Sequence, residues 1–418
     1  PVDRIEEYEK ADVVFSTPQT IKNDLKAGRL SLNDFSLLIV DECHRAVKDY
    51  AYTYVSKVYR SQAKNPLILG LTASPGGHRS KIEHVKRKLN IQNVEMRSRD
   101  DEDVKPFVQE VDLDKIEVKL NQELKEVLNY LKKMYDELLD RLKDWHVIGG
   151  NNITKKHLIN VQKKLSKSDK NYRFAAMSVV AEALKLDHAI GLVETQSLYS
   201  LNKYFEKMKD NAKKGKTKAV KRLVKRTEFQ KADKLTRLLM KKNVEHPKIN
   251  KLIELVKGKF KKRGDKTRII VFAQFRDTLE KITNELKKIK GVKPVKFIGQ
   301  AKKSGSGLKQ EEQVKIVNEF KLGFYNVLCS SSIGEEGLDI TETDMVIFYE
   351  PVPSAVRKIQ RSGRTGRTKK GEVIILLTKD TRDEAYYWAG YHKERKMNKM
   401  IEEMKNKDQK GLNEFSQS

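Results

Sequence analysis

Short apolar runs, each followed by a polar cluster and an amphipathic stretch at helical spacing, recur at both ends of this chain and are missing from its middle. In the first hundred residues the runs are Asp12–Ser16, Ser36–Val40 and Pro66–Leu71, with helical patterns at Pro18–Ala27 and Arg79–Leu89. Later they are Arg268–Ala273, Val292–Ile298, Asn326–Cys329, Met345–Tyr349 and Glu372–Leu377. Leu279, Ile282, Leu286 and Ile289 mark a helix among them. Another helix is expected from Thr381 to about Lys405, before a C-terminal segment that reads as a linker or frayed end. Continuous apolar runs suit strands buried on both faces, and strands alternating with helices predict a doubly wound parallel sheet. Such a sheet places its ligands beyond the carboxyl ends of its strands.

The middle has a different period. From Leu124 the apolar positions Leu128, Leu131, Met134 or Tyr135, Leu138 and Leu142 fall on one helical face. Phe174, Met177, Val180, Leu184, Ile190, Leu198, Leu201 and Phe205 mark a second helical region, roughly Arg173 to Lys207. No strand is expected there. The chain therefore divides into an α/β segment at 1–98, a helical segment at 99–245, a second α/β segment at 246–392 and a helix end with its tail at 393–418.

Lysine and arginine number 86 against 58 aspartates and glutamates, a net charge of +28. A polyanionic partner follows, nucleic acid ahead of an anionic membrane surface, since no strongly apolar face lies beside the charge runs. The helical segment is the most lopsided, with fourteen Lys or Arg between Lys209 and Lys242 against Asp210, Glu228 and Asp233. That run reads either as a solvated face or as a phosphate-contacting one. Cys43 and Cys329, alone and far apart, cannot build a disulfide framework or a Cys-rich zinc site. No apolar run approaches the ~18 residues of a membrane span, and a soluble, cytoplasmic protein is expected.

Polar clusters follow the early runs: Thr17-Pro18-Gln19, then Asp41-Glu42-Cys43-His44, then Thr72-Ala73-Ser74. Adjacent carboxylates at the end of a buried strand can hold Mg²⁺ and orient a water toward a phosphate, although a helix N-cap would account for Asp41 as well. Gln360-Arg361-Ser362-Gly363-Arg364-Thr365-Gly366-Arg367 is a candidate phosphate grip. Arginine offers a planar fork of donors, and glycine lets backbone approach a ligand. Pro353 is expected to open the helix that carries these arginines. Two motif-like stretches fail. Gly215-Lys216-Thr217 has Asp210 where a phosphate-binding loop needs its first glycine, and no strand before it. Glu394-Arg395-Lys396 resembles a nuclease core, but Met400 stands where the next acid belongs.

In this order, the clusters resemble the motifs of superfamily 2 helicases across nearly the whole chain. Thr17-Pro18-Gln19 resembles motif Ib, Asp41 to His44 the DECH form of motif II, and Thr72 to Ser74 motif III. Ile333 to Ile340 resembles motif V, and Gln360 to Arg367 motif VI. The helical insert and the wording of the last two motifs are most similar to the archaeal Hef helicase and its eukaryotic relative FANCM, with RIG-I-like and Dicer helicases more distant. The resemblance implies two RecA-like domains, the first incomplete, around a helical insert. It implies ATP and Mg²⁺ as cofactors, with Asp41 holding the metal through water and Glu42 orienting or deprotonating the attacking water. His44, Thr72 and Ser74 would couple nucleotide state to the nucleic acid. Gly337, Asp339 and Gln360 would border the nucleotide, and Arg364 and Arg367 would reach its phosphates across a cleft. Thr17, Pro18, Gln19, Ser330 and Ser331 would contact one strand's phosphates, which carries no sequence information.

One departure matters. The family's first domain has a G-x-x-x-x-G-K-[ST] loop before motif Ib, and nothing of that form precedes Thr17. Without its backbone N–H groups and lysine the triphosphate loses its main cradle. The expectation is an N-terminally truncated helicase that alone hydrolyses ATP poorly. The leading function is an ATP-dependent DNA helicase or translocase on branched DNA in repair or replication restart, nucleoid-associated if archaeal. A nuclease domain after residue 418 and repair-factor partners such as a sliding clamp are open. The alternatives are a double-stranded-RNA translocase and a non-catalytic nucleic-acid-binding protein.

Overall fold

The structure, a computed structural model, describes residues 3–73, 79–97, 101–107, 109–150, 152–168, 171–300, 307–334, 340, 342–366 and 370–415. In chain order the early elements are α1 (Asp3–Lys10), α2 (Pro18–Lys26), β1 (Leu38–Val40), α3 (Ala51–Gln62), β2 (Ile68–Gly70) and α4 (Arg79–Leu89). Next come β3 (Val111–Val118), α5 (Gln122–Asp144), α6 (Lys155–Leu165), α7 (Arg173–Thr195), α8 (Leu198–Lys213), α9 (Lys218–Lys225) and α10 (Thr227–Lys241). The remainder is α11 (Pro247–Arg263), β4 (Ile269–Phe272), α12 (Arg276–Leu286), β5 (Pro294–Phe297), α13 (Gln310–Leu322), β6 (Val327–Ser330), β7 (Met345–Phe348), α14 (Ala355–Ser362), β8 (Gly371–Thr378) and α15 (Arg382–Phe415). They form two compact units: 1–105 with 354–359 and 389–418, and 106–353 with 360–388.

In the larger unit six strands make one sheet in the order β3-β8-β7-β4-β6-β5, every neighbour parallel. Because successive strand residues face opposite sides, the uninterrupted apolar runs feed two cores. Ile269, Val271, Val327, Cys329 and Ile347 pack on one face with Leu252 and Val256 of α11 and Leu279 and Ile282 of α12. Ile270, Phe272, Leu328, Val346 and Phe348 pack on the other with Val317 and Phe320 of α13. This is the doubly wound α/β fold expected of the chain's C-terminal part.

The stretch expected to be wholly helical contains a strand, β3, whose residues Asp112, Leu113, Asp114, Lys115 and Glu117 are exposed or half-buried. Among the described residues it pairs only with β8. An edge strand can be polar and charged, which is why its sequence lacks the apolar signature of its neighbours.

Helices α5 to α10 form an all-helical bundle. Leu124, Leu131 and Leu138 of α5 pack against Val180, Leu186 and Val193 of α7, with Phe205 of α8 and Phe229 of α10. The second helical region breaks in two at Gln196-Ser197, where Ser197 caps α8 by accepting from the Ser200 amide (3.1 Å). Gly215-Lys216-Thr217 is a helix junction. Gly215 takes φ +66° after α8, and Thr217 accepts from the Val220 amide at the start of α9. The residues explain themselves as caps.

In the smaller unit β1 and β2 pair in parallel, Val40 opposite Gly70. Asp24 of α2 is fully buried and accepts from Tyr8, Arg4 and Arg29. The strand expected at residues 12–16 is not formed. Val13 and Phe15 are 67% and 95% exposed, and among the described residues nothing pairs with them. A strand needs a ladder partner, so an apolar run without one stays irregular. α14 begins two residues after Pro353, and α15 runs past Lys405 to Phe415.

Candidate active-site elements

Asp41 and Glu42 follow β1 directly. The ladder continues one step beyond the strands, Cys43 N–H donating to Leu71 O (2.9 Å) and Leu71 N–H to Val40 O (2.9 Å), and so fixes the turn. Glu42 adopts a left-handed conformation (φ 49°, ψ 45°) that starts a 3₁₀ turn over Cys43–Arg45. Non-glycine residues rarely sit there, and when they do the surroundings hold them. Its amide donates to Asp41 Oδ1 (2.9 Å). Gly70 lies under this turn: a Cβ there would come within 2.8 Å of Ile91 Cδ1 and 3.2 Å of Cys43 Cβ.

The turn aims Glu42 and His44 at Thr72, which follows β2. His44 Nδ1 lies 3.0 Å from Thr72 Oγ1 and 3.1 Å from Glu42 Oε2, and Thr72 Oγ1 donates to Glu42 Oε2 (3.4 Å). Burial holds the His44 imidazole below its ordinary pKa, and nearby Glu42 opposes this. Both His44 contacts are made by Nδ1, so a neutral ring with its proton there donates to the Thr72 hydroxyl and the Glu42 carboxylate together. Asp41 remains exposed. Burial pushes the Cys43 thiol up to about 11 and the Cys329 thiol up to about 12, so neither supplies a thiolate at neutral pH.

Among the described residues no group of three His, Cys, Asp or Glu could hold a metal ion. One exposed carboxylate beside a second fits magnesium, which binds through one or two carboxylates, waters and substrate phosphates rather than an all-protein cage. The bound ion would neutralise phosphate charge. Asp41 would be the residue to hold it, and Glu42 would orient an attacking water or accept its proton.

Thr17 caps α2, accepting from the Thr20 amide (3.3 Å) and sharing a 2.8 Å hydroxyl contact with Thr20. Pro18 is the first helical residue, and Gln19 donates to Asn23 Oδ1 (2.9 Å). Thr17 and Gln19 are exposed. Ser330 differs from expectation. It is the last residue of β6, fully buried, and its hydroxyl donates to Ser331 O (2.9 Å). Its strand is buried on both faces, which encloses the side chain, and Ser331 is the partly accessible member.

In the arginine segment α14 ends at Ser362, so Arg361 is helical and Arg364 follows the helix. Arg361 is 1% exposed, its guanidinium 4.9 and 5.4 Å from the Phe272 and Phe348 ring centres. Arg364 is buried too, and its carbonyl accepts from both the amide and the hydroxyl of Thr343 (3.0 Å each). Gln360 is half-buried. Ser74, Gly337, Asp339 and Arg367 lie outside the described residues.

Sequence reasoning passed over Glu350. It stands two residues past β7, is 5% exposed, and accepts from the Gln274 amide (2.6 Å) and from Gln196 Nε2 (3.4 Å). The signal was present, a carboxylate after an apolar run, but without a neighbouring carboxylate to draw notice.

Residues 2–77 match the family model "Type III restriction enzyme, res subunit", 123–246 match "Putative ATP-dependent RNA helicase, helical bundle", and 247–369 match "Helicase conserved C-terminal domain". A "Putative ATP-dependent RNA helicase" of Methanocaldococcus jannaschii is 42% identical over 405 residues, covering 97% of this chain and 50% of that protein. The ATP-dependent DNA helicase mph1 of Neurospora crassa is 32% identical over 402 residues, covering 92% and 34%. The chain thus spans half or less of these curated relatives. The crystal structure of the Pyrococcus furiosus Hef helicase domain superposes with a TM-score of 0.68 at 43% identity, covering 93% of this chain and 80% of that one. No described helix is long and apolar enough to cross a membrane. With its parallel sheets, inserted bundle and this likeness, the chain belongs to the superfamily 2 helicases as a relative of Hef and FANCM.

Proposed function

We propose that this chain is the motor portion of an ATP-dependent DNA helicase or translocase acting on branched DNA, forks and junctions, in repair or replication restart. The observation that carries the motor reading is the Glu42–His44–Thr72 cluster, which joins the ends of two strands through a catalytic-type carboxylate. In this proposal Asp41 holds Mg²⁺ through water and Glu42 orients the attacking water. His44, Thr72 and Ser74 report nucleotide state to the nucleic-acid side. Gly337, Asp339, Gln360, Arg364 and Arg367 serve the nucleotide, the arginines stabilising phosphate charge. Thr17, Pro18, Gln19 and Ser331 face one strand, with Ser330 acting through the backbone. Residues 1–98, 99–245 and 246–392 are the corresponding first motor domain, insert and second motor domain, except that β3 within 99–245 adds a strand to the second motor domain's sheet.

The basic run of the insert supports nucleic-acid contact. Lys209, Lys214, Arg222, Arg226 and Arg237 are spent on ion pairs with Asp233, Asp210, Glu182 and Glu137. Lys213, Lys216, Lys218, Lys221, Lys225, Lys234, Lys241 and Lys242 are exposed. A double-stranded-RNA motor is the second reading, favoured by the name of the Methanocaldococcus relative. The test is ATP turnover by the protein expressed from its full natural reading frame, with forked DNA against double-stranded RNA of equal length. Stimulation by forked DNA is expected. Stimulation by RNA alone would establish the second reading, and none by either would refute the motor.

A further inference from the structure

We propose that Gln196 is a positioning residue that locks the helical bundle to the second α/β domain and, at the ends of β4 and β7, to the arginine segment. Gln196 stands at the break between α7 and α8, 1% exposed, with φ −115° and ψ −111°. A helix end leaves its last carbonyls without intrahelical partners, and a buried one must find them elsewhere. The Gln196 carbonyl finds Tyr349, which follows β7 and donates its hydroxyl (2.5 Å). Its side-chain amide is used at both ends. Thr278 of α12 donates to Oε1 (2.9 Å), and Nε2 donates to Glu350 (3.4 Å). One residue of the bundle is thereby tied to three positions of the α/β domain, all buried.

Glu350 extends the link. Its other oxygen accepts from the Gln274 amide (2.6 Å), two residues beyond β4. Arg361 is clasped by Phe272 and Phe348, the last residues of β4 and β7. The bundle's break and the ends of β4 and β7 therefore share one buried hydrogen-bond network, and the base of the arginine segment packs on the same two strand ends. Buried networks of this kind are costly to leave half-satisfied, and so they tolerate little relative movement. A displacement of the arginine segment is carried to the basic helices as a rigid rotation rather than absorbed at a flexible joint. The functional half of this inference rests on the motor activity proposed above; the mechanical half does not.

The mechanical half is tested on this chain by pulsed electron–electron distance measurement between nitroxides at Lys216→Cys, in the bundle, and Leu322→Cys, 75% exposed in the α/β domain. Native Cys43 and Cys329 are buried and their thiols are held protonated, which keeps them unlabelled. A single narrow distribution is expected, and Q196A and the milder T278V should broaden it while T278S restores it. Unchanged width in both Q196A and T278V overturns the proposal. In the full-length protein the ratio of forked-DNA-stimulated to basal ATP turnover should fall about five- to tenfold in Q196A, with basal turnover kept. Broadened distances with an unchanged ratio would overturn the link to the arginine segment. If the wild-type protein is not stimulated by DNA, the motor reading fails and the distances alone decide the joint.

Discussion

Lys248 and Asp383 are both fully buried, Nζ to Oδ2 at 2.7 Å, and they tie the first turn of α11 to the first turn of α15. Asp383 also accepts from the Thr378 amide (3.0 Å), and the Lys248 ammonium lies 4.7 Å from the Tyr349 ring centre. K248M keeps the volume and removes the charge, leaving Asp383 uncompensated. Removing one partner of a buried pair costs about 3–5 kcal/mol, which is roughly 10 °C in Tm for a domain of this size. Burial already pushes the Asp383 carboxyl above its ordinary range, with Lys248 holding it back, so K248M raises it further. Above that folded pKa the carboxylate is charged in both states and the penalty is full. As pH falls through it, the folded state takes up the proton and the penalty shrinks. The loss relative to wild type should therefore be larger at pH 8 than at pH 5. K248M/D383N, which keeps an acceptor for Thr378 without a lone charge, should recover most of the loss at pH 8. Scanning calorimetry at the two pH values decides it. A K248M penalty below about 1 kcal/mol, or a double variant no better than K248M, would refute the argument.

His246 is fully buried as a neutral ring, Nδ1 accepting from the Lys248 amide (3.2 Å) and Nε2 donating to Glu194 O (3.3 Å). Burial pulls its pKa down to about 3. The unfolded chain, at ~6.5, then binds the extra proton first, so stability is full above that pH and falls by about 2 kcal/mol between pH 7 and 5. H246Q should flatten that slope in denaturation curves; an equal slope would count against the assignment. E42Q should lower ATP turnover of the full-length protein by about 10²–10⁴ with Tm unchanged, and near-normal turnover would remove Glu42 from the chemistry. K218A/K221A/K225A on α9 should reduce the slope of log affinity for DNA against log salt by about 2 to 3, and an unchanged slope would make that face merely solvated.

Strands β4, β6 and β7 could be placed from sequence because each is apolar and buried on both faces, as central strands of a parallel sheet are. The Asp41-Glu42 pair could be read because two adjacent carboxylates after such a run are more than a helix cap needs, whereas the single carboxylate Glu350 drew no notice. The same logic gave a strand at residues 12–16, where the pattern is right and a ladder partner is missing among the described residues. It overlooked β3, whose edge position frees it from the pattern. Local periodicity therefore determined which segments prefer to be strand or helix and which side chains could bear chemistry. Pairing and burial belong to the tertiary structure, because they depend on residues far away in the chain. Those distant contacts turned Ser330 inward, placed Arg361 between two phenylalanines, brought Thr72 onto Glu42 and His44, and made Gln196, unremarkable in the sequence, the joint between two domains.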